Sequence, residues 1–364
     1  MIPFNELKRG FELYQDEYEA KALEVMRSGW YILGHEVSSF EKEFSQKLGG
    51  GYCAGVDNGM NAIEIGLRAL GIGEGDEVIV QSNAYIATVI AISVNAVIPV
   101  FVEPDKYFNI DASKIEVAIT SKTKAVLVTH LYGQPSKMDS IAKICENNNL
   151  FLLEDCAQSH FSTYKGKCTG LIGNMGFFSF FPTKNLGCFG DGGAVVSGEQ
   201  ELIEKVKMLR NYGSKKKYYN EEIGYNSRLD ELQAGLLRIK LSHIDELQAQ
   251  RDKIANRYLT AINNPQVMLP EVLDGAKPVW HLFVVRVKDR DIFREYLKNN
   301  GVGSEIHYPV PVHLSKAYAK FGYKRGDFPL AEEYADTVVS LPIMNDMADA
   351  EIQKVIDVVN SYGR

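Results

Sequence analysis

The chain lacks the features that mark metal, redox and secreted proteins. Its five cysteines are Cys53, Cys145, Cys156, Cys168 and Cys188. None are in C-x-x-C spacing and no histidine cluster adjoins them in sequence, so neither a zinc site nor a dithiol motif is expected. An odd number of scattered thiols fits a reducing cytoplasm better than secretion. The opening residues, MIPFNELKRGFELYQDE, hold no signal-type apolar core. The longest apolar stretch, 84–102, is interrupted by Asn95 and Pro99, which excludes a membrane span. Positive charge is not in excess either. Lys plus Arg number 40 against 47 Asp plus Glu, a formal net charge of −7, and the run 215–217 of three lysines is too short to suggest nucleic acid. G-x-G-x-x-G is missing, so the dinucleotide fingerprint is not met, and so is G-x-x-x-x-G-K-[ST], the P-loop.

What is present is an ordinary globular composition, 45% hydrophobic and 24% charged over 364 residues. This length suggests two domains. Apolar residues at helical spacing mark 11–28, with Ser28-Gly29 as a stop, and a second helix fits 37–48. From residue 52 short apolar runs (77–80, 97–101, 125–131, 150–153) alternate with helical stretches (61–70, 84–95, 138–148). Strands apolar on both faces, alternating with helices, predict a mostly parallel sheet covered on both sides. Ligands of such sheets sit beyond the carboxyl ends of the strands. After about residue 240 the pattern changes. A long polar helix fits 241–262, then a strand at 280–287, a helix at 291–299, a His- and Pro-rich loop at 306–313 and a last helix at 349–362. The expected division is a large α/β domain, 1–240, and a smaller α+β domain, 241–364.

Four segments carry candidate chemistry. In FLLEDCAQSH a buried-strand pattern ends on two acids, Glu154 and Asp155, and alternation lets only one face a given cleft. Either could also be a helix cap or a surface acid. In VDNGMNAIEIG a turn at Asn58-Gly59 opens a helix, and free N–H groups at a helix start bind phosphate; a plain helix start is the competing reading. In SFFPTKNLGCFGDGG, Lys184 follows an apolar run and precedes Gly187, Gly190, Gly192 and Gly193. A desolvated lysine has a lowered pKa and can act as an amine nucleophile, whereas most lysines are solvated surface charges. The glycines would let the backbone turn sharply past something bulky. In HYPVPVH, two prolines stiffen a loop carrying His307, Tyr308 and His313, with no acid or cysteine beside them for a metal. It reads as a binding loop for a polar ligand or as a rigid connector.

Their order is more specific than any one of them. A glycine turn opening a helix, Tyr85 in NAYIAT, the acid of E-D-x-A-Q, and a lysine in S-F-x-P-T-K-N-L-G-x-x-G-D-G-G form one series. The chain resembles the fold-type I pyridoxal-phosphate (PLP) enzymes, and among them the DegT/StrS-type sugar-nucleotide aminotransferases. SGWYILGHEVSSFEKEF, HLYGQP, GYNSRLDELQAG and IHYPVPVH look like segments of that family, so the resemblance runs nearly end to end. It is strongest to enzymes that aminate the third carbon of a nucleotide-linked 3-oxo-6-deoxyhexose, whose products serve deoxysugar pathways such as those of lipopolysaccharide or S-layer glycan.

The resemblance implies a fold-type I architecture: a large domain with a mostly parallel seven-stranded sheet between helices, and a smaller C-terminal α+β domain. It implies PLP bonded to Lys184, with Asp155 on the pyridine nitrogen, Gln158 on the ring hydroxyl and Tyr85 stacked on the ring. Gly59, Met60 and Ser179 would hold the phosphate. Asn226 would reach the cofactor phosphate of a partner subunit, which implies a homodimer with shared active sites. The substrates would be L-glutamate and a nucleotide sugar, probed by Tyr31, His307 and Tyr308. No metal, nucleic acid or membrane is called for, and the location expected is the cytoplasm. Two departures stand out. Phe161 replaces a small residue and would crowd the cofactor rim. Met60 and Asn61 replace smaller or hydroxylated residues, so the phosphate cup would rely on backbone. A 4-keto sugar aminotransferase, a non-catalytic regulatory relative and a nicotinamide-dependent oxidoreductase are the rival readings.

Overall fold

Side chains that alternate between two apolar environments build the centre of the molecule. A computed structural model describes residues 1–363. Helices α1 (Leu7–Glu12), α2 (Gln15–Ser28) and α3 (His35–Lys47) precede the first strand, β1 (Tyr52–Val56). Then α4 (Gly59–Ala69), β2 (Glu77–Gln81), α5 (Ile86–Ser93), β3 (Ile98–Val102), β4 (Thr123–Thr129), α6 (Met138–Asn147) and β5 (Phe151–Asp155) follow in turn. A small hairpin, β6 (Thr163–Tyr164) and β7 (Lys167–Cys168), leads to β8 (Met175–Ser179) and β9 (Gly193–Ser197). The seven long strands form one sheet in the order β1-β9-β8-β5-β4-β2-β3. It is parallel from β3 to β8, and β9 alone runs against its neighbours β8 and β1. This is the mostly parallel seven-stranded sheet expected.

Both faces are covered, as the doubly apolar strands require. Val78, Val80, Leu127 and Phe177 face α4, α5 and α7 (Gln200–Leu209). Ile79, Val126 and Leu152 face α6. Phe178 and Phe180 meet Phe40 and Phe44 of α3, with ring centroids 5.0–5.5 Å apart at near right angles. Each such fully buried ring stabilises the fold by roughly 1.5–3 kcal/mol. After the hairpin β10 (Ser214–Lys216) and β11 (Tyr219–Asn220), α8 (Glu231–Ser242) closes this layer. Its Glu231 carboxylate accepts three N–H groups at the start of α3, from Gly34, Glu36 and Val37, at 2.7–2.9 Å.

A second apolar cluster gathers the C-terminal elements. It includes α9 (Ile244–Ala261), the antiparallel pair β13 (Phe283–Arg286) and β14 (Val338–Leu341), α10 (Arg290–Asn299) and α12 (Asp349–Ser361), and it also holds Ile2. Between them, β12 (Ala276–Lys277) joins β6, and α11 (Pro329–Thr337) packs Ala331 onto the first cluster. No described helix is long and apolar enough to cross a membrane.

The differences from the sequence reading lie at element ends and in elements it left unassigned, among them β8, β9, α7, α8, α11 and β14. The helix expected at 11–28 is two helices, and Gly29 stops the second with φ +68. The helix expected at 241–262 begins at Ile244, because His243 leaves helical geometry (φ −101, ψ 5) and separates α8 from α9. The strand expected at 125–131 stops at Thr129, and a 3-10 turn, Leu131–Gly133, follows His130. The strand expected at 280–287 shortens because Trp280 has φ +48.

Candidate active site

The sheet reverses its winding between β2 and β4, and the crevice beyond the strand ends collects the candidate groups. Its volume is approximately 360 Å³. Asp155 closes β5 and faces it, while Glu154 points to the opposite side, as alternation demands. Thr88 donates its hydroxyl to Asp155 Oδ2 at 2.6 Å, Thr129 does so at 3.4 Å, and the Ala157 N–H reaches Oδ1 at 3.0 Å. Asp155 is therefore fixed in place while remaining an acceptor at the cleft.

Glu154 has a different task. Its carboxylate accepts N–H groups from Gly170, Ile172 and Gly173 at 2.7–2.9 Å and lies 2.9 Å from His130 Nε2. His130 Nδ1 accepts the Ser136 N–H at 3.0 Å, so its proton sits on Nε2 and is donated to Glu154. Cys156 lies close enough to these two to complete a three-residue group of metal-ligand type. The hydrogen bonds already engage both Glu154 oxygens and both His130 nitrogens, and the group acts as a brace for the 170–173 loop.

Lys184 lies in a tight turn after β8. Its N–H bonds the Phe181 carbonyl at 2.8 Å, and the Cys188 N–H returns to the Phe180 carbonyl at 2.8 Å. The side chain keeps some surface on the cleft but has protein around it. Burial pushes the amine down to about 8, and the Asp155 carboxylate opposes that shift.

At the other wall, Asn58 caps α4 by accepting the Asn61 N–H at 2.8 Å. This leaves the N–H groups of Gly59 and Met60 at the first turn without a helical acceptor. Asn61 turns its amide to Asp57 at 2.9–3.0 Å, which leaves backbone as the donor set here. A Cβ on Gly59 would lie 2.5 Å from Ser179 Cβ, so the turn and the serine touch only because residue 59 is glycine. Gly193 passes under the same turn, where a Cβ would meet Asn58 O at 2.5 Å.

Tyr85, 46% exposed, presents its ring to the cleft, 4.9 Å from the Tyr308 ring centroid at 32°. Tyr308 accepts a hydrogen bond from Gln158 Nε2 at 3.0 Å, and Gln158 Oε1 accepts the Tyr132 N–H at 2.7 Å. Gln158 thus keeps one amide proton free. His307 bonds Ser340 Oγ through Nδ1 at 2.8 Å, and burial lowers its pKa to about 4. Burial thus favours its neutral form.

The cleft brings together Gly59, Met60, Tyr85, Asp155, Gln158, Ser179, Lys184, His307 and Tyr308. Tyr31 and Asn226 are not part of it. Tyr31 is 55% exposed and donates to the Met26 carbonyl at 3.1 Å. Asn226 is exposed on the chain's surface, bridged to Asn211. The lysines 215–217 lie on and beside the β10–β11 hairpin, outside the cleft, where Lys216 and Lys217 sit over Tyr219 and Tyr218.

One expectation needs correction. Phe161 does not crowd the cleft. It has φ +65, which turns its ring to Phe44 of α3, 5.6 Å away. The glycines after Lys184 serve their turn without left-handed geometry, since none of the four has a positive φ. They permit backbone to meet backbone or side chains, as Gly187 does at Pro182 O. The sequence reading missed Thr88, Thr129 and His281. His281 lies on the cleft with Nδ1 on the Asn185 amide at 3.1 Å. A threonine one helical turn into α5 gives no signal until the helix is seen to point at β5.

A lysine and a carboxylate in one cleft beyond a seven-stranded, mostly parallel sheet are the arrangement of a fold-type I PLP enzyme. The chain matches the model of the DegT/DnrJ/EryC1/StrS aminotransferase family over residues 13–360 and belongs to that family. It is 50% identical, over 100% of both chains, to a dTDP-3-amino-3,6-dideoxy-alpha-D-galactopyranose transaminase of Aneurinibacillus thermoaerophilus. Among solved structures it is similar to S. venezuelae DesV in complex with a ketimine intermediate, with TM-score 0.97 and 45% identity over 99% of this chain and 97% of that one. It is also similar to NtdA from Bacillus subtilis with bound cofactor PMP, with TM-score 0.91 and 29% identity over 98% and 84% of the two chains.

Proposed function

We propose that the chain uses PLP to move the amino group of L-glutamate onto the third carbon of a nucleotide-linked, dTDP-type 3-keto-6-deoxyhexose. The observation that carries this reading is the Lys184 amine set with the Asp155 carboxylate in one cleft, in a chain half identical end to end to a dTDP-3-amino-sugar transaminase.

The residues present fit PLP. Two uncommitted N–H groups at the positive end of α4, with the Ser179 hydroxyl against them, suit a phosphate. The Tyr85 ring offers a flat face, and the free Gln158 amide proton suits a ring hydroxyl. When bound, PLP supplies the electron sink for breaking bonds at the donor's α-carbon. Asp155 would hold positive charge at the ring nitrogen. Lys184 Nζ would hold the cofactor and would move a proton at the donor's α-carbon. His307 and Tyr308 are assigned to the sugar in this cleft, and Tyr31 and Asn226, which lie outside it, to the partner subunit's site in a homodimer, Tyr31 at its sugar and Asn226 at its cofactor phosphate. Residues 1–240 would form the cofactor domain and 241–364 the smaller one, in a cytoplasmic enzyme.

Purified protein should be yellow, and glutamate should bleach it. The bleached form should then aminate 3-keto nucleotide sugars in a panel that includes 4-keto and UDP-linked members. A colourless protein that binds a nicotinamide nucleotide would overturn the reading, and turnover of 4-keto sugars alone would move it to the other carbon.

Two substitutions test its parts. Gly59→Ala places a methyl 2.5 Å from Ser179 Cβ and must shift the turn or the serine. PLP affinity is expected to fall about tenfold or more, with an unchanged circular dichroism spectrum. Wild-type affinity would remove the phosphate role from this turn. His307→Ala is expected to slow the sugar half-reaction about 10²-fold and leave the glutamate half-reaction intact. Equal loss in both halves would contradict a sugar-specific role.

A further inference from the structure

A second cavity, of approximately 240 Å³, lies behind the lysine turn. Thr183 and Lys184 belong to its wall as well as to the cleft. Lys240 of α8 and Arg251 of α9 also line it. Among the described residues neither of these two has a carboxylate within 4.0 Å, and the charge that Lys240 feels most is Arg251 itself. Arg251 is only 6% exposed. Its Nη1 donates to the carbonyls of Trp280, His281 and Ile343 at 2.9–3.3 Å, while its Nε is buried with no partner. The one acid on the cavity wall, Glu6, is engaged by Arg9 at 2.8 Å.

Burial lowers Lys240 to about 8 and Arg251 to about 10, so both still hold their protons at neutral pH. Two like charges lining one half-open cavity, with no counter-charge within 4.0 Å among the described residues, carry a desolvation cost. A guanidinium with an unpaired N–H beside a lysine is also the donor set that recognises tetrahedral oxyanions. The cavity holds several water volumes at about 30 Å³ each.

We infer that this cavity binds a doubly charged oxyanion of the phosphate or sulfate class between Lys240 and Arg251, with the Thr183 hydroxyl and the Asn5 amide as neutral donors. The bound anion would tie α8, α9 and the N-terminal segment to the back of the lysine turn. The site is separate from the Gly59–Ser179 cup, which lies on the other side of that turn.

The test uses cofactor-saturated protein, so that the cup on the cleft side is filled. Sulfate, phosphate and glycerol 3-phosphate are each compared with chloride at matched ionic strength. Wild type should show a saturable Tm rise of roughly 2–4 °C, and Lys240→Met should lose the saturable part. A larger rise with the ester than with the free ions would assign the cavity to an organic phosphate. Equal rises in wild type and Lys240→Met, or a rise that never saturates, would overturn the inference, because excluded salts raise Tm without a site. If Lys240→Met does not fold, wild type alone decides. Sulfate should slow labelling of Lys240 by an amine reagent several-fold, read by mass spectrometry, and unchanged labelling would overturn the site.

Discussion

Lys184→Ala is expected to lower complete transamination by about 10⁴-fold and to leave the purified protein without its visible band. The size of the effect follows from two tasks on one atom. In the proposed reading Nζ would both hold the cofactor and carry the proton, so its removal could not be offset by tighter binding elsewhere. A variant that keeps a borohydride-reducible adduct at this site would sink the proposal. The same amine sets a pH dependence. Burial holds Lys184 at about 8, well below its ordinary 10.5. Only the neutral amine bonds to an aldehyde, so the rate at which cofactor-free protein captures PLP should climb with pH to a plateau, with a midpoint near 8. The effect on stability has a definite sign. Between about 8 and 10.5 the unfolded chain holds more protons at this position, so the Lys184 contribution becomes more favourable as pH rises through that window. Below it both states are protonated and the burial penalty is felt in full.

Asp155→Asn is expected to cost about 10³-fold in turnover while the protein stays coloured. A carboxylate about 4 Å from a ring cation contributes roughly 4 kcal/mol at an effective dielectric near 20, an upper-side figure. That corresponds to about three pKa units at the ring nitrogen. The amide is isosteric: its oxygen can keep the Ala157 N–H that Oδ1 accepts now, at 3.0 Å, while its NH2 donates to the Thr88 hydroxyl, which can accept as well as donate. The fold and the anchoring lysine should therefore survive, which separates this variant from Lys184→Ala. The midpoint for PLP capture should also drop below that of wild type, because Asp155 is the group that opposes the burial shift of Lys184. Wild-type turnover in Asp155→Asn would remove the carboxylate from the chemistry.

The layered fold was legible because its strands are apolar on both faces. The run at 150–153 can only lie inside a covered sheet, and the acids after it had to fall at the strand's carboxyl end. Alternation could say that Glu154 and Asp155 face apart, but not which faces the cleft. That depends on the 170–173 loop and His130, which meet Glu154 only in three dimensions. Thr88 and Thr129 were invisible for the same reason, since they come from α5 and β4 and converge on β5. Phe161 was misjudged because a residue next to a site in sequence turns away when its backbone takes a positive φ. The joined helix at 241–262 shows that periodicity passes smoothly over a one-residue break such as His243. Tyr31 and Asn226 lie outside the cleft of their own chain, and a single chain's pattern carries no mark of a neighbour's site.

The close passage of Gly193 beneath the Asn58–Gly59 turn has a practical consequence for redesign. Two backbones that touch without side chains between them leave no slack to absorb a mutation. Libraries aimed at bulkier acceptors should hold positions 59 and 193 constant. Phe181, 49% exposed on the cleft wall, is the position to diversify. The acceptor pocket can then be reshaped while the seat for the phosphate keeps its dimensions.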